Sequence, residues 1–157
     1  MNTKDFTIIA SLALYSSVLF GQTGPAGVGN STGSSGQPQN ALWLDAGTLS
    51  LSDGESVSTW SDVSGNANHA EQSGTARPTY HSTSLNGKPT LQFDGSQYLV
   101  VGQPSELDFT PGADDFSVVA VFHSKGDGSI FSKGYSDSDE RQYQFYTWNS
   151  GYLYTRI

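Results

Sequence analysis

The chain contains no cysteine, only seven lysines and arginines, and only four glutamates. Without cysteine there are no disulfides, zinc ribbons, thiol nucleophiles or haem attachment. Seven cations against fifteen acidic residues, formally −8, argue against a nucleic-acid partner, because phosphate contacts need a basic surface. The four glutamates, Glu55, Glu71, Glu106 and Glu140, are scattered. Glycoside hydrolysis needs two carboxylates at a defined separation. The nearest approach, Glu106-Leu107-Asp108, lies between Pro104 and Pro111, in a loop rather than a strand. There is also no G-x-S-x-G elbow, so the chain reads as non-catalytic. No segment carries a 3.6-residue amphipathic period.

What is present is aromatic and turn-forming. Aromatics make up 12% of the residues and there are 18 glycines, although only 35% of the chain is hydrophobic. A disordered acidic chain is poor in aromatics, so a folded, turn-rich, all-β protein is expected.

Three regions follow one another. Residues 1–21 read as a secretory signal: Lys4 in a weak basic start, Phe6 to Phe20 largely apolar, and Gly21 small before cleavage at Gln22. The apolar run is too short, and too interrupted by serine, for a permanent bilayer span. An N-terminal anchor or a buried helix is the alternative. In residues 22–40, ten of nineteen are Gly, Ser or Pro and none is charged, the composition of a flexible linker. From residue 41 the pattern is one of short strands.

Strands are expected at Ala41–Ala46, Val57–Trp60, Thr90–Phe93, Tyr98–Val101, Ser129–Ser132, Arg141–Trp148 and Tyr152–Tyr154. Phe116–Phe122, β-branched, aromatic and apolar on both faces, has the composition of a central strand. Asp94-Gly95-Ser96-Gln97 signals a hairpin between Thr90–Phe93 and Tyr98–Val101, and Asn86-Gly87 marks another tight turn. Alternation places Tyr146 and Trp148 on one face and Tyr143 and Phe145 on the other. Turn signals every 8 to 12 residues indicate a β-sandwich or barrel. The last strand stops at Ile157 without turn or cap, so a longer chain with further C-terminal domains is expected.

Two candidate sites stand out. Asp62, Asn66 and Asn68, in the loop Asp62-Val63-Ser64-Gly65-Asn66-Ala67-Asn68, offer oxygen ligands on a tightly turned chain, as Ca2+ requires. The same residues also suit plain Asx turns, with Gly65 at positive φ. Both readings remain open. Trp148 and Tyr146 are the candidates for stacking on a sugar ring, with Trp60, Tyr143, Tyr152 and Tyr154 also available; each could equally serve the core. Asp114-Asp115 and Asp137-Ser138-Asp139-Glu140 lack EF-hand spacing and read as solvated loops. His69, His81 and His123 show no metal-pairing interval.

The order of motifs resembles the laminin-G-like domains of the concanavalin A-like lectin/glucanase superfamily, in the form carried by exported Bacteroidetes surface proteins. The likeness rests on Leu42-Trp43-Leu44-Asp45-Ala46, Val57 to Ala70, Arg77-Pro78-Thr79-Tyr80, Leu85-Asn86-Gly87-Lys88-Pro89, Leu91-Gln92-Phe93-Asp94-Gly95, Phe116 to Phe122 and Ile130-Phe131-Ser132-Lys133-Gly134. The resemblance implies an antiparallel jelly-roll β-sandwich over residues 41–157, incomplete at its C-terminus, and it supports calcium at a loop of the Asp62 kind. It implies a secreted or cell-surface bacterial recognition or adhesion module whose partner is a glycan or an extracellular protein. A ligand-free structural spacer or adhesin stalk, and an accessory domain of a glycosidase or protease encoded downstream, are the alternatives.

Overall fold

The computed structural model describes residues 24–31, 33, 38–110, 113–134, 143–149 and 151–156. The expected signal (1–21), the Asp137–Glu140 run and Arg141-Gln142 lie outside the described residues. The described protein is all-β, with seven strands, three 3-10 turns (Pro25–Gly27, Ala46–Thr48, Ser105–Leu107) and no α-helix. Among the described residues no helix is long and apolar enough to cross a membrane.

The strands form three antiparallel sheets. β1 (Thr59–Trp60) pairs with β2 (Ala70–Glu71), and the Asp62 loop is the connection between them. β3 (Thr79–Leu85) pairs with β4 (Lys88–Gln92). The two-residue turn Asn86-Gly87 joins them, closed by the pair Leu85 and Lys88, with φ of 51° and 72° at its two residues; the register then shifts between Leu85 and His81. Two successive positive φ values match the strand twist of a type I′ hairpin, which is why Asn-Gly occupies the turn. The third sheet runs in the order β5 (Gly128–Lys133), β6 (Tyr143–Trp148), β7 (Tyr152–Arg156).

β3 and β4 therefore take the pairing that the Asp94 turn was expected to supply. The segment Thr90–Phe93 does not form a hairpin with Tyr98–Val101. Asp94 instead closes a local Asx turn, its Oδ1 accepting the Ser96 N–H at 2.9 Å and the Ser96 hydroxyl at 2.7 Å. The chain then runs on to Val100, which exchanges both backbone hydrogen bonds with Glu71, at 2.8 and 2.9 Å. The turn that joins β4 to its partner is Asn86-Gly87, not Asp94-Gly95.

The second difference is larger. Phe116–Phe122, expected as a central strand, pairs with nothing among the described residues. β-propensity reflects packing and pairing on a pleated surface, so composition alone does not make a strand where no neighbour lies alongside. Val118, Val119, Val121 and Phe122 are consequently exposed, Val121 at 85%. Only the start of the segment is packed: the Phe116 ring stacks on Phe109, centroids 4.3 Å apart and 6° from parallel. Ala41–Ala46, also expected as a strand, makes a single bridge from Leu44 to Asp62 before the 3-10 turn at Ala46–Thr48.

The inner face of the third sheet holds an aromatic core. Tyr143 is fully buried and lies 5.4 to 5.7 Å, centroid to centroid, from Phe109, Phe116 and Phe131. Its hydroxyl donates to the Leu107 carbonyl oxygen at 3.1 Å. Lys133 bonds the Asp108 carboxylate and donates to the Pro104 carbonyl at 3.2 Å. Residues 104–109 and Phe116 are thereby fastened under β5 and β6.

Candidate functional site

The Asp62 loop is built around one buried carboxylate. Oδ1 accepts the N–H groups of Trp43 and Ser64, both at 2.9 Å. Oδ2 accepts the Ser64 hydroxyl at 2.7 Å and the Asn68 N–H at 2.9 Å. The Asp62 N–H donates to His69 Nδ1 at 3.0 Å, which makes Nδ1 the unprotonated nitrogen of that ring. Burial works to raise the Asp62 carboxyl, but the bonds from Trp43, Ser64 and Asn68 outweigh it and hold the group below its ordinary value.

Asn66 and Asn68 do come together with Asp62, as expected for either reading of the loop. Both turn their amide nitrogens inward: Asn66 Nδ2 donates to the carbonyls of Asn40 and Ala41 at 2.8 and 3.2 Å, and Asn68 Nδ2 to Ala41 at 3.0 Å. Each Asp62 oxygen already faces two hydrogen-bond donors, and the neighbouring amides present N–H rather than oxygen. A calcium shell needs six to eight oxygens aimed at one point. The loop as folded therefore does not fit a cation at Asp62; it fits a clasp that ties residues 40–43 to the β1–β2 connection. Gly65 takes φ of +97°, as the turn requires. Among the described residues no group of three His, Asp or Glu side chains stands close enough to hold a metal.

The second candidate lies on the outer face of the β5–β6–β7 sheet. Alternation along β6 buries Tyr143 and Thr147 and turns Gln144, Tyr146 and Trp148 outward. The register of β7 sets Tyr152 opposite Trp148, Tyr154 opposite Tyr146 and Arg156 opposite Gln144. Tyr146 and Tyr154 stack, centroids 5.6 Å apart and 20° from parallel. Trp148 is 60% exposed, and Tyr152 is exposed beside it. An open groove of about 490 Å³ is lined by Asp127, Ser129, Gln144, Tyr146, Trp148 and Arg156, with Gly128 and Thr147.

Both residues named from the sequence for ring stacking, Trp148 and Tyr146, lie in this groove on one face. Tyr152 and Tyr154, named among the available aromatics, lie beside them on β7, whereas Arg156, Gln144 and Asp127 were not singled out there. The available signal was the turn Asn149-Ser150-Gly151: reading the strand pairs outward from it puts Tyr152 opposite Trp148 and Tyr154 opposite Tyr146. Tyr143, counted among the available aromatics, is core. Asp94 is occupied by its own Asx turn. Glu106 lies in the Ser105–Leu107 turn and Asp108 is paired with Lys133, so neither belongs to a strand-borne carboxylate pair. His81 sits between Asp53, 3.6 Å from Nδ1, and Gln92, 2.9 Å from Nε2.

Comparison with protein-family models, with curated proteins and with solved structures found no match to this chain.

Proposed function

We propose that the chain is an exported, non-catalytic recognition module that binds glycan on the outer face of its C-terminal sheet, within a laminin-G-like jelly roll belonging to a larger secreted or cell-surface protein. One observation carries the binding reading: Trp148 and Tyr152, and beside them the stacked Tyr146 and Tyr154, share a solvent-facing sheet surface with Gln144 and Arg156. Aromatic faces on a rigid strand pair take up the C–H face of a sugar ring, while amide, guanidinium and carboxylate groups at the rim bond its hydroxyls. The sequence resemblance to laminin-G-like domains supports the jelly roll, the export and the adhesive role. The all-β antiparallel architecture agrees with that fold class.

The test is binding of the intact protein to a panel of neutral and acidic oligosaccharides, read by tryptophan fluorescence and by calorimetry. A ligand from the panel should bind, and Trp148→Ala should weaken it at least tenfold while leaving the melting temperature in place, because Trp148 is largely exposed. Failure of every glycan in the panel, or equal affinity of the Trp148→Ala protein, would sink the reading.

A further inference from the structure

Residues 116–123 combine three properties that seldom occur together in a folded protein. The segment has β-strand composition, carries no Lys, Arg, Asp or Glu, and makes no backbone hydrogen bond among the described residues. It contains no bend, turn or helix, and no residue in it has positive φ. Its apolar side chains at Val118, Val119, Val121 and Phe122 are exposed. Unpaired strand edges of this kind are templates for another strand, and proteins ordinarily blunt them with charge, proline or a bulge. None of these devices is present between Phe116 and His123.

The charges flanking the segment say which strand fits. Asp115 and Lys125 lie five residues either side of Ala120, both are exposed, and neither is engaged in an ion pair among the described residues. We propose that two copies of this chain associate through an antiparallel pairing of the extended residues 116–124, with Ala120 opposite Ala120 on the two-fold axis and with Asp115 and Lys125, the latter where the chain bends, flanking the pair.

In that register Val118 lies opposite Phe122 and Val119 opposite Val121, and the flanking Asp115 of each copy meets the flanking Lys125 of the other. Opposite charges facing across a strand pair are stabilising and like charges destabilising. A parallel pairing in register would set Asp115 against Asp115 and Lys125 against Lys125. The interface is isologous, so each favourable pair occurs twice. The proposal uses none of the groove residues and stands apart from the glycan reading.

The experiment is sedimentation equilibrium of the full-length protein over a wide concentration range. The expected result is a reversible monomer–dimer equilibrium. Lys125→Glu sets acid against acid at both ends and should raise the dissociation constant about tenfold; the double variant Asp115→Lys, Lys125→Glu exchanges the charges and should restore it. Both positions are exposed, so folding is not at stake, and an unchanged circular-dichroism spectrum checks that. The cysteine-free background supplies a register test. Directly opposed residues of an antiparallel pair have Cα atoms about 4.5–5.5 Å apart, within disulfide reach. Ala120→Cys should therefore crosslink under mild oxidation, and Val121→Cys, offset by two residues from its own copy, should not. A monomer at every concentration would overturn the proposal and leave the edge to another segment or another partner. So would a Lys125→Glu protein of unchanged affinity, or equal crosslinking at positions 120 and 121.

Discussion

The carboxylate of Asp62 accepts the backbone N–H of Trp43 at 2.9 Å, across nineteen residues of chain. The bond is answered by Val63 N–H donating to the Trp43 carbonyl at 2.9 Å. Together they fasten the first segment of the domain to the β1–β2 connection. The clasp extends further upstream through Asn66, whose amide reaches the Asn40 carbonyl; the Asn40 N–H in turn donates to Asn30 at 2.8 Å. Two side chains, Asp62 and Asn66, thus tie the backbone at 40–43 to the loop 62–68.

Asp62→Ala should lower stability by about 3 kcal/mol, since several donors lose a buried charged acceptor at once. Asp62→Asn should cost less, because one oxygen remains for two of the donors. The wild-type group has a lowered pKa in the folded state. Its contribution is complete above the unfolded carboxylate value and is lost as pH falls through the folded one. Urea titrations across the acid range should show the wild-type acid limb flattened in Asp62→Asn.

Chelation supplies a separate check on the same loop. A ligand bound only by the folded state raises stability by mass action. With both Asp62 oxygens filled by donors, EDTA should leave the melting temperature unchanged, and added calcium should not raise it. A rise with calcium that EDTA reverses would show the loop opening to a cation.

Tyr143 should govern the alkaline side. Burial, with the nearby Asp108 charge adding to it, pushes its phenol up to about 12. The folded state therefore holds this proton more tightly than the unfolded chain does. Its contribution is complete below the ordinary tyrosine value of about 10 and is lost as pH rises from there through about 12. Tyr143→Phe should remove that alkaline loss and cost about 1 kcal/mol at neutral pH through the missing bond to Leu107. Melting curves of the two proteins at successive pH values measure both effects.

Gly87 should be sensitive for backbone reasons alone. At φ of +72° nothing lies near a would-be Cβ, so Gly87→Ala meets no clash, only an unfavourable backbone conformation. The expected loss is about 1 kcal/mol. Gly126, which has equal room and no positive φ, should accept alanine at little cost. Comparing the two by chemical denaturation isolates the φ term.

How much of this was legible in the residues depends on the range of the interaction. Turns and alternation are local, so Asn86-Gly87, β5, β6 and β7, and the shared outward face of Tyr146 and Trp148 could all be read directly, whereas the Asp94 turn, read as a hairpin, closes only on itself. The clustering of Asp62, Asn66 and Asn68 was legible for the same reason. Whether their oxygens faced a cation or N–H donors was not, because the donors at Trp43 and the acceptors at Asn40 and Ala41 arrive from distant chain.

By itself the sequence determined an all-β chain without thiol chemistry, its aromatic hairpin and its tight turns, since these follow from composition and from period-two side-chain geometry. Only the tertiary structure decided that β4 joins β3 rather than the Val100 segment, that Tyr143 goes to the core while Trp148 goes to solvent, and that Phe116–Phe122 has no strand beside it among the described residues. A strand is completed by its neighbour, and a neighbour is a non-local fact.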